Sequence, residues 1–200
     1  YEYDPANRLE HCLRAAELWS DKVGDRSRAL ASLAVALLDD PDQAEAFERA
    51  ESLLRETGGH GELSRLYRRR IQSTGAEGAR VELLRRHARL LRDELQDPPR
   101  AMAELGQLLA LAPTDVQALE ELSDLLVAQG HWSDGTAKLG LLVEHSVDPE
   151  MRHRARLRQA ELWLHRLHEP ARARAVLDEA LEERPDDLDA RKMMVELCRA

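Results

Sequence analysis

The sequence predicts an all-α chain, an α-α superhelix of about five helix pairs followed by a terminal helix, and three observations carry that prediction. Ala, Leu, Glu and Arg dominate while aromatics make up only 4% of the 200 residues, and these four are strong helix formers because they lose little side-chain entropy in a helix. The stretches beginning at Leu18, Leu90 and Leu162 superpose, with Ala29, Ala101 and Ala173, then Pro41, Pro113 and Pro185, held at a spacing of 72 residues. Apolar residues recur at i, i+3, i+7, as in Phe47, Ala50 and Leu54 and again, one period later, in Leu119, Leu122 and Leu126. That is the spacing of one helix face.

A fixed period marks a repeat architecture, and a weaker unit that begins at Asp42 and again at Thr114 divides it into repeats of roughly 34 and 38 residues. Each repeat has room for two helices and two short turns. The repeats fall at 5–41, 42–75, 76–113, 114–147 and 148–185, with a final helix over 186–200. In the first, "GD" at Gly24 and Asp25 separates two helical patterns and "DDPD" closes the repeat. In the second and fourth, Asp42 with Glu45 and Thr114 with Gln117 are candidate capping boxes directly after Pro41 and Pro113, and Gly58 and Gly130 stand where a helix stops. In the third and fifth, Pro98 behind Asp97 and Pro170 behind Glu169 place proline at a first helical position after an acidic cap. The final helix carries Met193, Met194, Val195, Leu197 and Cys198, apolar on more than one side. It reads as the start of a sixth repeat, and the chain, which lacks an initiator methionine, as a piece of a longer protein.

These residues resemble the tetratricopeptide repeat (TPR). Ala16, Trp19, Ala29, Leu33, Ala36 and Pro41 match its small, aromatic, small, apolar, small and proline positions in the first repeat, as Ala160, Trp163, Ala173, Leu177, Ala180 and Pro185 do in the fifth. The even repeats depart from the pattern: Leu63 or Gly135 stands for the small Ala and Gly75 or Val147 for the proline, while the odd repeats carry one extra residue before the inter-helix turn. The resemblance implies a TPR-like solenoid in which small Ala residues let antiparallel helices approach. Trp19, Leu91 and Trp163 are then expected to fill the groove against the next repeat, each unit burying its apolar face on its neighbour.

The composition narrows the function. A formal charge of -9 argues against a general polyanion binder, since nucleic-acid affinity comes largely from neutralised phosphates. No apolar run spans a membrane and the N-terminus has no signal-peptide pattern. Cys12 and Cys198 stand far apart at apolar helical positions, which fits two buried thiols in a reduced, cytoplasmic compartment. The preference for Arg over Lys, with only three lysines, is associated with high-GC bacterial genomes.

No motif supplies chemistry. His165 and His168 have an i, i+3 spacing that suits metal ligands, yet His168 takes the place held by Gly24 and Gln96 in a turn. The run "LLDDPDQAE" lacks the glycine and terminal Glu of a calcium loop. With no nucleotide, hydrolase or zinc motif, the sequence reads as a non-enzyme without cofactor, metal or small-molecule substrate.

One feature rises above this background. Between Arg65 and Arg92 stand nine Arg against two Glu, a local charge of +7 in an otherwise acidic chain. The resemblance implies that the first helix of each pair lines the concave surface. The positions that commonly face a ligand are then Glu48, Ser52 and Arg55, Arg85, Arg89 and Arg92, Glu120, Asp124 and Val127, and Leu157, Glu161 and Leu164. Arg85, Arg89 and Arg92 share one helix face and either form a solvated row paired with Glu82 and Asp93 or a basic patch for an acidic peptide or terminal carboxylate. The chaperone-binding carboxylate clamp is disfavoured, because the only Asn is Asn7. The leading expectation is a protein- or peptide-binding scaffold. A self-assembling module packing through its terminal helices is the alternative, and RNA binding through the Arg65 to Arg92 region, with Tyr67 the only nearby aromatic, is the third.

Overall fold

Eleven α-helices and no strand are present among the residues that the computed structural model describes, 5–198. α1 spans Pro5–Glu17 and runs on through a π-helical turn, Leu18–Val23; α2 spans Arg26–Asp39, α3 Ala44–Glu56, α4 His60–Ser73 and α5 Glu77–Asp93. α6 covers Pro98–Leu111, α7 Val116–Ala128, α8 Trp132–His145, α9 Pro149–His165, α10 Pro170–Glu183 and α11 Leu188–Leu197. Residues 199 and 200 of the predicted terminal helix lie outside the described residues. The chain divides into two compact units, Tyr1–Asp97 and Pro98–Ala200, and each is described by itself.

The turns within the helix pairs come in two widths, and they give the 72-residue period a structural cause. After α3 and α7 the backbone turns left-handed at Gly58 (φ 69°) and Gly130 (φ 81°). The next amide donates back five residues, Gly59 to Leu54 O and His131 to Leu126 O, both at 2.8 Å, which is a Schellman closure. After α1 with its π-helical turn, α5 and α9, the left-handed residues are Gly24 (φ 75°), Gln96 (φ 50°) and His168 (φ 55°). There the donor reaches back six residues, Asp25 to Trp19 O, Asp97 to Leu91 O and Glu169 to Trp163 O, each at 2.8 Å. The extra residue of the odd repeats is taken up as one more member of the hydrogen-bonded ring. Glycine enters this region without a Cβ clash, whereas Gln96 and His168 hold it under strain.

The expected capping boxes are displaced. Pro41, Pro113 and Pro185 each occupy the second position of a four-residue turn, closed by Gln43 to Asp40 O, Asp115 to Ala112 O and Asp187 to Arg184 O, so the helix begins one residue later than the sequence suggests. Asp115 and Asp187 are the caps, accepting from the amides of Ala118 at 2.9 Å and Ala190 at 2.7 Å. Gln43 caps α3 without a side-chain bond, while Asp42 instead accepts from Thr74 Oγ1 at 3.1 Å. Pro98 and Pro170 do open α6 and α10, but the Glu169 carboxylate makes no capping bond.

Small residues stand where the period requires close helix approach: Ala29, Ala101 and Ala173 are fully buried, as are Leu33, Leu105 and Leu177 beside them. Burying a Leu in this way contributes about 1.5–3 kcal/mol relative to exposure. Gly135 takes the small position of the fourth repeat, where an added Cβ would come within 2.8 Å of Val127 Cγ2, so α7 and α8 pack closer than an alanine allows. Of the three residues expected to fill inter-repeat grooves, Leu91 is buried, but Trp19 and Trp163 are only half-buried and are covered by Arg28 and Arg172 of their own repeats, at 4.5 and 4.6 Å from the ring centres. The thiols also differ from expectation: Cys12 is half-buried and Cys198, at the end of α11, is exposed. No helix among the described residues is long and apolar enough to cross a membrane.

Candidate functional site

In the first unit α3 turns Phe47, Glu51 and Leu54 toward the interior, and Glu51 is a carboxylate with 5% exposure. Such a charge is tolerated only when its oxygens are filled with donors. Tyr67 Oη of α4 donates to Glu51 Oε1 at 2.5 Å, Arg55 donates to the same oxygen through Nη2 at 2.9 Å, and Arg86 of α5 donates to Oε2. Burial alone would raise the pKa of Glu51, but these three donors outweigh it and hold the carboxyl below its ordinary range. The Tyr67 hydroxyl moves the other way, pushed up to about 12 by burial and by the anion it serves. Its ring meets Phe47 edge-on at 5.4 Å and stacks on His87 at 5.5 Å, while His87 Nε2 lies 2.9 Å from Ser64 Oγ.

Several of the expected site residues have partners within the protein. Arg55 is held by Glu51, and Tyr67 has no exposed surface on which a base could stack. Arg85 is half-buried with Nε 3.6 Å from Glu82, and Arg92 forks onto Asp93 at 2.7 and 3.0 Å. The hydrogen bonds from Arg92, with the nearby charge of Arg89, lower the pKa of Asp93. All three arginines are engaged within the protein.

Ser52 lines a cavity of about 350 Å³ between α1, its π-helical turn and α3, with Ala16, Leu33 and Leu53 as floor and Glu17, Asp21, Arg49 and Glu56 at the rim. Glu48, on α3, is exposed. In the second unit Glu120 and Asp124 of α7 line a cavity of about 230 Å³ with Met151, Arg154 and Arg158 of α9, over Leu139 and Leu142. Arg158 bridges this groove to pair with Asp124, and on its far side Val127, Glu161 and His165 line a second hollow of about 430 Å³. Leu157 lines neither: it packs half-buried against Ala160, Leu177 and Ala190.

Of the residues expected on the concave face, Glu120 and Asp124 line this groove from α7, whereas its α9 lining, Met151, Arg154 and Arg158, was not among them. Met151, Ala155 and Leu162, spaced by helical turns, mark the face of α9 that carries Arg154 and Arg158, and that apolar row was the available signal. His165 and His168, considered as metal ligands, lie apart in function: His165 Nδ1 is 3.7 Å from Glu196, and His168 is the left-handed turn residue. Among the described residues no group of three or more His, Cys, Asp or Glu is placed to hold a metal ion.

No protein-family model matches the sequence, and no curated protein matches it. Solved structures do. YrrB, a TPR protein with an unusual peptide-binding site, superposes with a TM-score of 0.54 at 19% identity, over 95% of this chain and 97% of its own. MamA gives 0.56 at 13% identity over 89% and 92%. A tetratricopeptide repeat protein from Parabacteroides merdae ATCC 43184 gives 0.55 at 16% identity over 96% and 72%. At these identities the likeness is one of fold, and the chain has a TPR-like helical repeat fold, an α-α solenoid.

Proposed function

We propose that the chain is a non-catalytic scaffold of the cytoplasm that binds a protein or an extended peptide along the grooves between the first helices of its repeats. The observation that carries this reading is the equivalence of Ser52 and Asp124. They stand one 72-residue period apart, and each lines a groove with an apolar floor and a charged rim. Such a floor accepts side chains of an extended partner while the rim fixes its register by hydrogen bonds and charge. The engagement of Arg85, Arg89 and Arg92 within the protein moves the weight of recognition from that central arginine row toward Ser52, Asp124, Arg158 and Glu161.

Selection of a displayed random peptide library on the whole chain tests the reading. Enriched peptides should share a sequence pattern and lose binding to Ser52→Arg and Asp124→Arg variants that remain folded. Failure of any pattern to emerge, or equal binding to both variants, refutes it.

The self-assembly reading keeps one specific support. Leu188 and Val195 on α11 are 68% and 51% exposed and line a shallow hollow with Arg191 and Lys192. Light scattering across a concentration series decides it: a dimer lost on Leu188→Glu, Val195→Glu substitution favours assembly, and a monomer throughout removes it.

A further inference from the structure

The groove between α2 and α4 in the first unit belongs to neither reading. It has a volume of about 390 Å³ and a floor of Leu30, Leu37 and Leu66. Its α2 wall is formed by Ala31 and Ala34, small exposed residues that leave room for another helix to approach closely. One turn beyond them Leu38 is 62% exposed. The α4 wall carries Arg65 and Arg69, which share a face at i, i+4.

These two arginines differ from the rest of the basic cluster. Arg70, on the same helix, donates to Pro41 O at 2.9 Å and lies over the Phe47 ring, and Arg86 is bound to Glu51. Arg65 and Arg69 are exposed and, among the described residues, have no ion pair or hydrogen bond. Nor does the repeat require them: one period later the same positions hold Ala137 and Leu141. Two free guanidinium groups beside an apolar trough are complementary to a surface with an apolar stripe edged by carboxylates. Glu62, the one acidic residue of the lining, sits a turn earlier on α4 and leaves the wall net positive.

We infer that this groove docks an amphipathic helix of a partner protein whose apolar stripe is flanked by Asp and Glu. The leucine floor takes the stripe, Ala31 and Ala34 set the close approach, and Arg65 and Arg69 fork onto carboxylates one turn apart. The apolar floor favours a protein helix over a nucleic acid, which would leave those leucines against water. This site is independent of the grooves lined by Ser52 and Asp124.

The test uses two dye-labelled synthetic helical peptides of about 18 residues with one leucine stripe, edged by Glu in the first and by Lys in the second, titrated with the whole chain by fluorescence anisotropy. The Glu-edged peptide should bind at least about tenfold more tightly than the Lys-edged one. That preference should vanish in Arg65→Glu, Arg69→Glu, and Ala34→Trp, which fills the groove, should remove binding of both. Asp124→Arg should leave it unchanged, which separates this site from the proposed peptide grooves. Where the charge reversal disturbs the circular dichroism spectrum, Arg65→Gln, Arg69→Gln replaces it, with loss of the same preference expected. Equal affinity for the two peptides, no saturable binding, a preference that survives the arginine substitutions, or tighter binding of a single-stranded RNA oligonucleotide through the same arginines overturns the proposal.

Discussion

The Tyr67 hydroxyl and the Glu51 carboxylate lie 2.5 Å apart inside the first unit, and that short contact joins α4 to α3 at a point where Arg86 brings in α5. One buried anion thus ties three consecutive helices. Its position one period later holds Ser123, also buried, whose hydroxyl turns back to Glu120 O. The polar link between helix pairs is nevertheless repeated beside it: Ser64 meets His87 in the first unit, and Gln159 donates to the Thr136 carbonyl at 2.9 Å in the second.

Removing the charge from Glu51 leaves Arg55 and Arg86 without their anion. Glu51→Gln should destabilise the chain by about 2–3 kcal/mol and Tyr67→Phe by about 1–2 kcal/mol. Because both act on one network, the double variant should lose less than the two effects combined, as urea denaturation in a double-mutant cycle will report. Additive losses would mean that the hydroxyl and carboxylate contribute separately.

The same pair predicts an alkaline limit. Tyr67 titrates at about 12 in the folded chain against an ordinary value of 10.0, so the folded state binds the phenolic proton more tightly. Its contribution to stability is fully present below pH 10 and is lost as pH rises toward 12. Thermal melts across that window should fall more steeply for the native sequence than for Tyr67→Phe. Parallel curves would show that the phenol is not held.

The repeat was legible because its signals are local: a left-handed residue at 24, 96 and 168, and prolines at 41, 113 and 185, recur wherever the backbone makes the same turn. The buried network was not legible for the opposite reason. Glu51 is one residue from Ser52 and Arg86 one residue from Arg85, and what separates core from groove is the meeting of side chains 35 residues apart. Reading helix positions by analogy put Arg85 and Arg55 at the ligand surface. The structure gives Arg55 and Arg86 to Glu51, an assignment that depends on three helices packing together.

The two non-glycine left-handed residues offer a stabilising change. Gln96→Gly and His168→Gly should each raise stability by about 0.5–1 kcal/mol, since the αL penalty of a Cβ exceeds the added freedom of glycine in the unfolded chain. His168→Ala is the control, and it should leave stability near that of the native chain because the imidazole has no part in the turn. A gain from alanine equal to that from glycine would place the strain in the side chain instead of the backbone.

Asp124 and Arg158 pair across the groove of the second unit with side-chain exposures of 52% and 39%, and exposed pairs of this kind contribute only about 0–1 kcal/mol. Exchanging them, Asp124→Arg with Arg158→Asp, keeps an ion pair while reversing the charge on each wall. Stability should therefore stay within about 0.5 kcal/mol of the native chain, as chemical denaturation will measure. Binding of peptides selected on the native groove should fall by about tenfold or more, because charge complementarity sets register and partner choice more than it sets fold. A large stability loss with peptide affinity unchanged would make the pair a strut between α7 and α9. Retained stability with lost binding would make it part of the recognition surface.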